Sequence, residues 1–299
     1  MQQTVINDIS GDQKLEIRDQ YIWMMRNVAL YFEAEKPLPN LGNFRCANIN
    51  YPGSVITFEQ SPPRVLCNLF FQHLPKAAIR SEIGNIDVLD IGCGSGKYFA
   101  ITDRFLGGLR SYVGSDIYRN KSFDAISDVR ARFIISDAEN LGCDLIENSN
   151  FIISVSVLEH IRYDLTAMQN IAAILYDKVD PTIQVHLLPP AFLYRQYGPH
   201  GYRGYNSAAI KKITDIYDGF SDIAIYTLGG SSCNEVHFDW FFDVFDRKKA
   251  YKYKLDPDGY NVALSSALVD DMEKEYVPVR DACFIAIVIH THPKTRIFG

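Results

Sequence analysis

Much of what would mark a secreted, membrane-spanning or nucleic-acid-binding protein is missing from this sequence. Its six cysteines, Cys46, Cys67, Cys93, Cys143, Cys233 and Cys283, include no Cys-x-x-Cys pair and no histidine at zinc-finger spacing. That excludes a disulfide framework and a structural zinc site and suits a reducing compartment. Basic residues are not in excess: 30 Lys and Arg against 36 Asp and Glu leave a formal charge of -6. No broad cationic surface is available to displace counterions from a phosphate backbone, so no nucleic-acid partner is expected. No stretch approaches the roughly 20 apolar residues that cross a bilayer. Met1 to Gln20 are polar and mixed in charge, without the basic start and apolar run of a secretory signal. The expectation is a cytoplasmic protein with no membrane span. Repeats and low-complexity tracts are also lacking. What is present is an ordinary globular composition, 47% hydrophobic and 22% charged over 299 residues, enough for one large α/β domain with extensions.

Two textures divide the chain. Up to about residue 80 the pattern is helical: Ile22, Met25, Val28, Ala29 and Phe32 recur on one face before Pro37 and Pro39, and Pro63 to Leu74 carries Val65, Leu66, Leu69 and Phe70. Residues 1–80 are therefore expected to form a helical extension and 81–299 the main domain. From Asp87 onward short β-branched runs alternate with helix-period segments, the pattern of a parallel sheet flanked by helices. Strands are predicted at 87–91, 111–115, 131–136, 150–156, 182–188 and 222–228, with helices near 96–106, 163–177 and 207–218. Residues 231–280 interrupt this rhythm with His237-Phe-Asp-Trp-Phe-Phe242, expected to be a helix packed on the core, and the turn signal Asp256-Pro-Asp-Gly259. The segment Cys283-Phe-Ile-Ala-Ile-Val-Ile289 then supplies a last strand.

The chemistry is concentrated where the buried strand Val88-Leu-Asp-Ile91 runs into Gly92-Cys-Gly-Ser-Gly96 and then a helix. A glycine-rich turn at the carboxyl end of a strand is where open α/β sheets bind ligands, because the backbone there must turn sharply and approach the ligand closely. The spacing does not fit a dinucleotide fingerprint, since the third glycine comes one residue early and Lys97 takes its place. A P-loop is excluded by the lack of Gly-Lys-Ser or Gly-Lys-Thr. Downstream, Asp116 ends Tyr112-Val-Gly-Ser-Asp116, about twenty residues on, where an acid can accept from both ribose hydroxyls. Asp137 follows in Ile134-Ile-Ser-Asp-Ala-Glu139, and Ser154-Val-Ser-Val-Leu-Glu-His-Ile161 closes the series. Taken alone, Asp116 reads as a turn cap and Asp137 as a surface acid; together and in this order they do not.

This series closely resembles the motifs of class I S-adenosylmethionine-dependent methyltransferases, over roughly Ile86 to Gly230 and the strand near 285. The resemblance implies a doubly wound, mostly parallel seven-stranded α/β sheet, here with an N-terminal helical extension and an insertion at 231–280 before the last strand. It implies S-adenosylmethionine as cofactor, bound by Asp90, Gly92, Cys93, Gly94 and Gly96 of the glycine loop. Asp116 and Ile117 would hold the ribose, Asp137 and Ala138 the adenine, and Ser156, after the fourth strand of the motif series, would complete the cofactor site.

Because the reactive methyl belongs to the cofactor, the protein mainly has to align a nucleophile, and an oxygen nucleophile also has to lose a proton. His160, just after a strand at the carboxyl edge, and His200 are the candidate catalytic bases. His200 lies in Tyr194-Arg-Gln-Tyr-Gly-Pro-His-Gly-Tyr-Arg-Gly-Tyr205, which packs four tyrosines, two arginines and three glycines into twelve residues. It is expected to be a lid, residues 191–206, with Tyr194, Arg195, Tyr202, Arg203 and Tyr205 binding the acceptor. No metal is expected, because Leu158-Glu-His-Ile161 offers no Asp and no Asp-Asn pair follows. A nucleic-acid acceptor is disfavoured because no Asn-Pro-Pro-Tyr or Asp-Pro-Pro-Tyr is present. The reading is methyl transfer to a small-molecule hydroxyl, of a sugar or another anionic metabolite. An N-, C- or protein methyltransferase, or a noncatalytic cofactor-binding subunit, is the alternative. A homo-oligomer is left open.

Overall fold

A computed structural model gives the architecture for residues 9–46, 60–193, 198–241 and 252–298. The strands are β1 Leu41–Asn43, β2 Asp87–Ile91, β3 Ser111–Asp116, β4 Ala131–Ile135, β5 Phe151–Val155, β6 Thr182–Leu188, β7 Ser221–Leu228 and β8 Phe284–Thr291. They form one eight-stranded sheet in the order β1-β7-β8-β6-β5-β2-β3-β4. Every pairing is parallel except those of β8 with β6 and β7. The helices are α1 Ile17–Phe32, α2 Pro62–Gln72, α3 Lys76–Ile83, α4 Tyr98–Leu106, α5 Cys143–Glu147, α6 Asp164–Asp177, α7 Ser207–Ile216, α8 Ser231–Trp240 and α9 Pro257–Glu273.

The central strands β2, β5, β6 and β8 are buried along their whole length, as their near-continuous apolar runs require. Successive side chains point to opposite faces. Val88, Phe151 and Ile153 join one core with α2, α4 and α9, whereas Leu89, Ile91 and Ile152 join the other with α6 and α7. From β2 the chain order runs one way through β3 to β4 and the other way through β5 and β6, so a crevice opens at the carboxyl ends of β2 and β5. Ligands of open α/β sheets bind at such a reversal.

Three features depart from the sequence expectation. The sheet has eight strands rather than seven, because Leu41–Asn43, between the two helices expected in the N-terminal extension, pairs with Ile225–Thr227. Helix α1 does not turn its apolar stripe inward: Met25 and Phe32 are exposed, while Trp23 and Asn27 are buried. The surface it meets is a polar loop, to which Trp23 Nε1 donates at the Gly201 carbonyl and whose Gly204 amide donates to Asn27 Oδ1, so hydrogen bonding decides which face packs. Finally, Asp256-Pro-Asp-Gly259 is the start of a 17-residue helix and not a turn. Asp256 accepts from the Gly259 amide, and Pro257 occupies the first helical position, where a missing N–H costs nothing. The helix expected at Trp240 is present as α8, with the Trp240 ring 5.8 Å from that of Tyr260 on α9. No helix among the described residues is long and apolar enough to cross a membrane.

Candidate active site

The glycine loop and the turn after β5 meet at the crevice. Gly92 has φ +67, and a Cβ there would lie 2.5 Å from both Val157 methyls, so only glycine lets the two turns close together. Gly94, φ +56, faces open space: a Cβ added there would have nothing within 4 Å, which leaves its backbone bare toward the crevice. The Gly94 amide donates to Asp116 Oδ2 at 2.8 Å, and the Tyr118 amide donates to Oδ1 at 3.1 Å. Asp116 is thus fixed at the rim of the bare loop, with its remaining lone pairs available to hydroxyls. Asp137 accepts from the Glu139 amide at 2.9 Å and begins a short turn, leaving Ala138 half-buried beside it. Ile117 is exposed at the same rim.

Asp90 is different in kind. It is buried beneath the loop and accepts a hydrogen bond from the Tyr112 hydroxyl. Burial pushes its carboxyl up to about 7 despite that bond. The Cys93 thiol is buried and held well above its ordinary range by desolvation and then by Asp90 and Asp116, so it packs rather than reacts. The bare loop and the rim acids fit S-adenosylmethionine: Gly92 to Gly96 could receive its amino-acid portion, Asp116 the ribose and Asp137 with Ala138 the adenine.

Across the crevice, the turn after β5 places Ser156 at φ +59, a left-handed conformation for a residue with a side chain. Its hydroxyl donates to Glu159 Oε1 at 2.6 Å. Glu159 is fully buried, and its Oε2 has no hydrogen-bond partner among the described residues. The two histidines nominated separately by the sequence come together here, their rings 4.7 Å apart and edge to face. Between them stands Asp12, from the segment before α1, with Oδ2 2.5 Å from His160 Nδ1 and Oδ1 3.4 Å from His200 Nδ1. Burial works against a charged His160, but Asp12 and Glu159 outweigh it and raise its pKa, whereas burial and the neighbouring His160 lower that of His200. Both histidines and Ser156 line a cavity of about 310 Å³ with Arg64, Cys67, Pro189 and Phe284.

The rest of the expected acceptor loop is arranged otherwise. Tyr194 and Arg195 lie outside the described residues. Tyr205 is fully buried and donates to Asp164 Oδ2 at 2.8 Å, and Arg203 pairs with Asp164 Oδ1 at 3.2 Å. Arg203 lines a separate groove between α1 and α7. The Tyr202 amide donates to the Glu159 carbonyl, and the Gly11 amide to that of Gly201. Residues 198–205 are therefore fastened down, and their two halves face different surfaces. Sequence reasoning passed over Asp12 and Arg64. Neither sits in a motif, and Asp12 meets His160 across 148 positions.

Residues 63–212, half of the chain, match the family described as Methyltransferase domain. The chain belongs to this family and is a class I methyltransferase with S-adenosylmethionine as methyl donor. Among solved structures it is similar to a SAM-dependent methyltransferase from Archaeoglobus fulgidus, at 16% identity over 78% of this chain and 96% of that one, with a TM-score of 0.44. It is also similar to the N-methyltransferase NodS from Bradyrhizobium japonicum WM9, at 15% identity over 59% and 84% with a TM-score of 0.44. Magnesium protoporphyrin IX methyltransferase from Synechocystis PCC 6803 is similar at 19% identity over 58% and 84%, TM-score 0.40. No curated protein matches the sequence.

Proposed function

We propose that the protein transfers a methyl group to a hydroxyl oxygen of a small anionic acceptor, a sugar derivative or similar metabolite, seated in the cavity beside Ser156. The observation that carries this reading is the meeting of His160, His200 and Asp12 at that cavity, 4.7 Å between the imidazole rings. An amine attacks a methyl sulfonium once it is deprotonated in solution, but a hydroxyl has to be activated on the enzyme. The cluster supplies a place for that activation. Arg64, in the cavity wall and donating to the Tyr98 hydroxyl at 2.9 Å, offers a guanidinium to the acceptor's anionic group. This role moves from Arg203, whose charge is taken up by Asp164.

In this reading the donor supplies an electrophilic methyl, and Gly92, Gly94, Gly96, Asp116, Ile117, Asp137, Ala138 and Ser156 bind it. Asp90 and Cys93 support the loop from below. Alignment of the acceptor oxygen with the methyl carbon is worth up to about 7–11 kcal/mol of barrier. All six cysteines are unpaired, in keeping with a cytoplasmic setting.

The test is a panel of hydroxyl and amine acceptors assayed with the wild type and with His160→Ala and His200→Ala. Hydroxyl methylation that falls by about 10² to 10⁴ in kcat in either variant supports the reading. Methylation confined to amines and unaffected by either substitution overturns it.

A further inference from the structure

Resting on that reading, we propose that Asp12, His160 and His200 form a site for one divalent first-row transition-metal ion, and that this ion activates the acceptor hydroxyl. One ligand atom from each of the three residues falls within 4.8 Å of the others. Two imidazoles and a carboxylate are a nitrogen-rich set suited to zinc, manganese, iron or cobalt rather than to magnesium or calcium, which favour oxygen.

One edge of the cluster already has the spacing of a bound ion. Ligand atoms about 2.0–2.2 Å from one metal lie roughly 3–3.5 Å apart, and Asp12 Oδ1 is 3.4 Å from His200 Nδ1. The contact of Asp12 Oδ2 with His160 Nδ1, at 2.5 Å, is a hydrogen bond whose proton the cation would displace. Each of the three side chains remains about a third or more exposed, at 42% for Asp12, 32% for His160 and 35% for His200. Three ligands with an accessible side leave positions for an acceptor oxygen, as at catalytic rather than structural metal sites.

An independent observation comes from beneath the cluster. Glu159 Oε1 lies 3.7 Å from His160 Nε2, while Oε2 of the same fully buried side chain has no hydrogen-bond partner among the described residues. A buried carboxylate oxygen left unsatisfied is costly. With a cation on His160 Nδ1, Glu159 stands on the far side of the ring toward Nε2, in the place of an outer-shell acid. The positive charge carried through the imidazole offsets part of that cost. The ligands are also held in place before any ion arrives. Trp23 Nε1 and the Gly11 amide both donate to the Gly201 carbonyl, and the Tyr202 amide donates to that of Glu159, joining the three segments that carry the ligands. Such support is what a metal site of fixed geometry needs.

With the acceptor hydroxyl on the cation, its O–H proton is released to water because the bound oxygen is more acidic. The oxygen lone pair forms the new bond to the methyl carbon, and the carbon–sulfur bond breaks with its electrons going to sulfur. The products are the methyl ether, S-adenosylhomocysteine and one proton. His160 then acts as a ligand, not as the base anticipated from the sequence, and the sequence expectation of no metal is replaced.

The experiment uses the full chain freed of metal with a chelator. Cobalt(II) is titrated while its visible absorption is recorded, zinc is titrated by calorimetry, and S-adenosylhomocysteine binding is measured on each sample. The expected result is one ion per chain, weakened on the order of 100-fold by His160→Ala, His200→Ala and the milder Asp12→Asn. S-adenosylhomocysteine affinity in the same samples should stay within about twofold, which also certifies the fold of each variant. A wild type that binds S-adenosylhomocysteine but no stoichiometric cobalt or zinc overturns the metal site; so does ion binding indifferent to Asp12→Asn and His160→Ala. If the ion is absent and hydroxyl methylation still collapses in His160→Ala, only the metal fails and the proposed function stands. Stoichiometric ion binding in a protein that methylates amines alone supports the site and sinks the acceptor assignment.

Discussion

Asp116 accepts a hydrogen bond from the Gly94 amide at 2.8 Å, so this rim acid and the glycine loop are a single unit. Removing the carboxylate takes away both the proposed ribose acceptor and the brace that shapes the loop. Asp116→Ala should weaken S-adenosylhomocysteine binding by about 10- to 100-fold, the worth of hydrogen bonds to a charged group. Calorimetric titration measures this directly. Unchanged affinity would mean that the cofactor lies elsewhere on the sheet edge.

A second prediction separates two costs at Gly92. Its φ of +67 disfavours any side chain by roughly 1–2 kcal/mol, and a Cβ would in addition meet Val157 at 2.5 Å. Gly92→Ala should lower stability beyond the backbone cost alone. Adding Val157→Ala should recover the steric part but not the remainder. Denaturant melts of the two single variants and the double one check this, and simple additivity would show that the two turns do not touch.

The strands were readable because burial imposes a pattern on them. Ile152 and Ile153 must both be apolar when helices cover both faces of β5, and the same holds along β6 and β8. The glycine loop was readable for a similar reason, since its residue types answer to backbone geometry. The inward face of α1 was not, because Trp23 and Asn27 pack against the carbonyl of Gly201 and the amide of Gly204, and polar contacts leave no period in a sequence. Asp256-Pro-Asp-Gly259 was misread because the residues that stop a chain in a turn also cap a helix. His160 and His200 were each visible from their surroundings. Their proximity, and Asp12 between them, depended on loops from three elements meeting in space, for which one sequence carries no local signal.

Tyr205 distinguishes a structural from a substrate role for the loop after β6. Its hydroxyl is buried and bonded to Asp164 at 2.8 Å, and Arg203 shares the same carboxylate. Tyr205→Phe leaves that buried carboxylate short of a donor and should cost about 1–3 kcal/mol of stability. The acceptor KM should not move, since the ring has no exposed surface. A raised KM with unchanged melting would return Tyr205 to the acceptor site.

The remaining prediction concerns pH and the helix pair inserted before β8. Asp271 on α9 is fully buried and accepts from the amides of Gly230, Ser232 and Cys233 at the start of α8, and from Lys274 Nζ at 2.6 Å. Burial alone would raise its pKa, but the Lys274 and Cys233 contacts and the Gly230 amide outweigh burial and hold it below 3.8. A carboxylate with a depressed folded pKa contributes stability above its unfolded value and loses it as pH falls through the folded one. The helix dipole of α8 adds to the same preference for negative charge. Asp271→Asn should therefore cost about 1–3 kcal/mol near neutral pH, through the lost charge-assisted hydrogen bonds and a misdirected amide. The gap between wild type and variant should hold down to about pH 4 and close below it. Urea melts across pH 3 to 7 measure that gap, and a difference that stayed constant through the acid range would show that the charge of Asp271, as distinct from its shape, contributes nothing to joining α8 and α9.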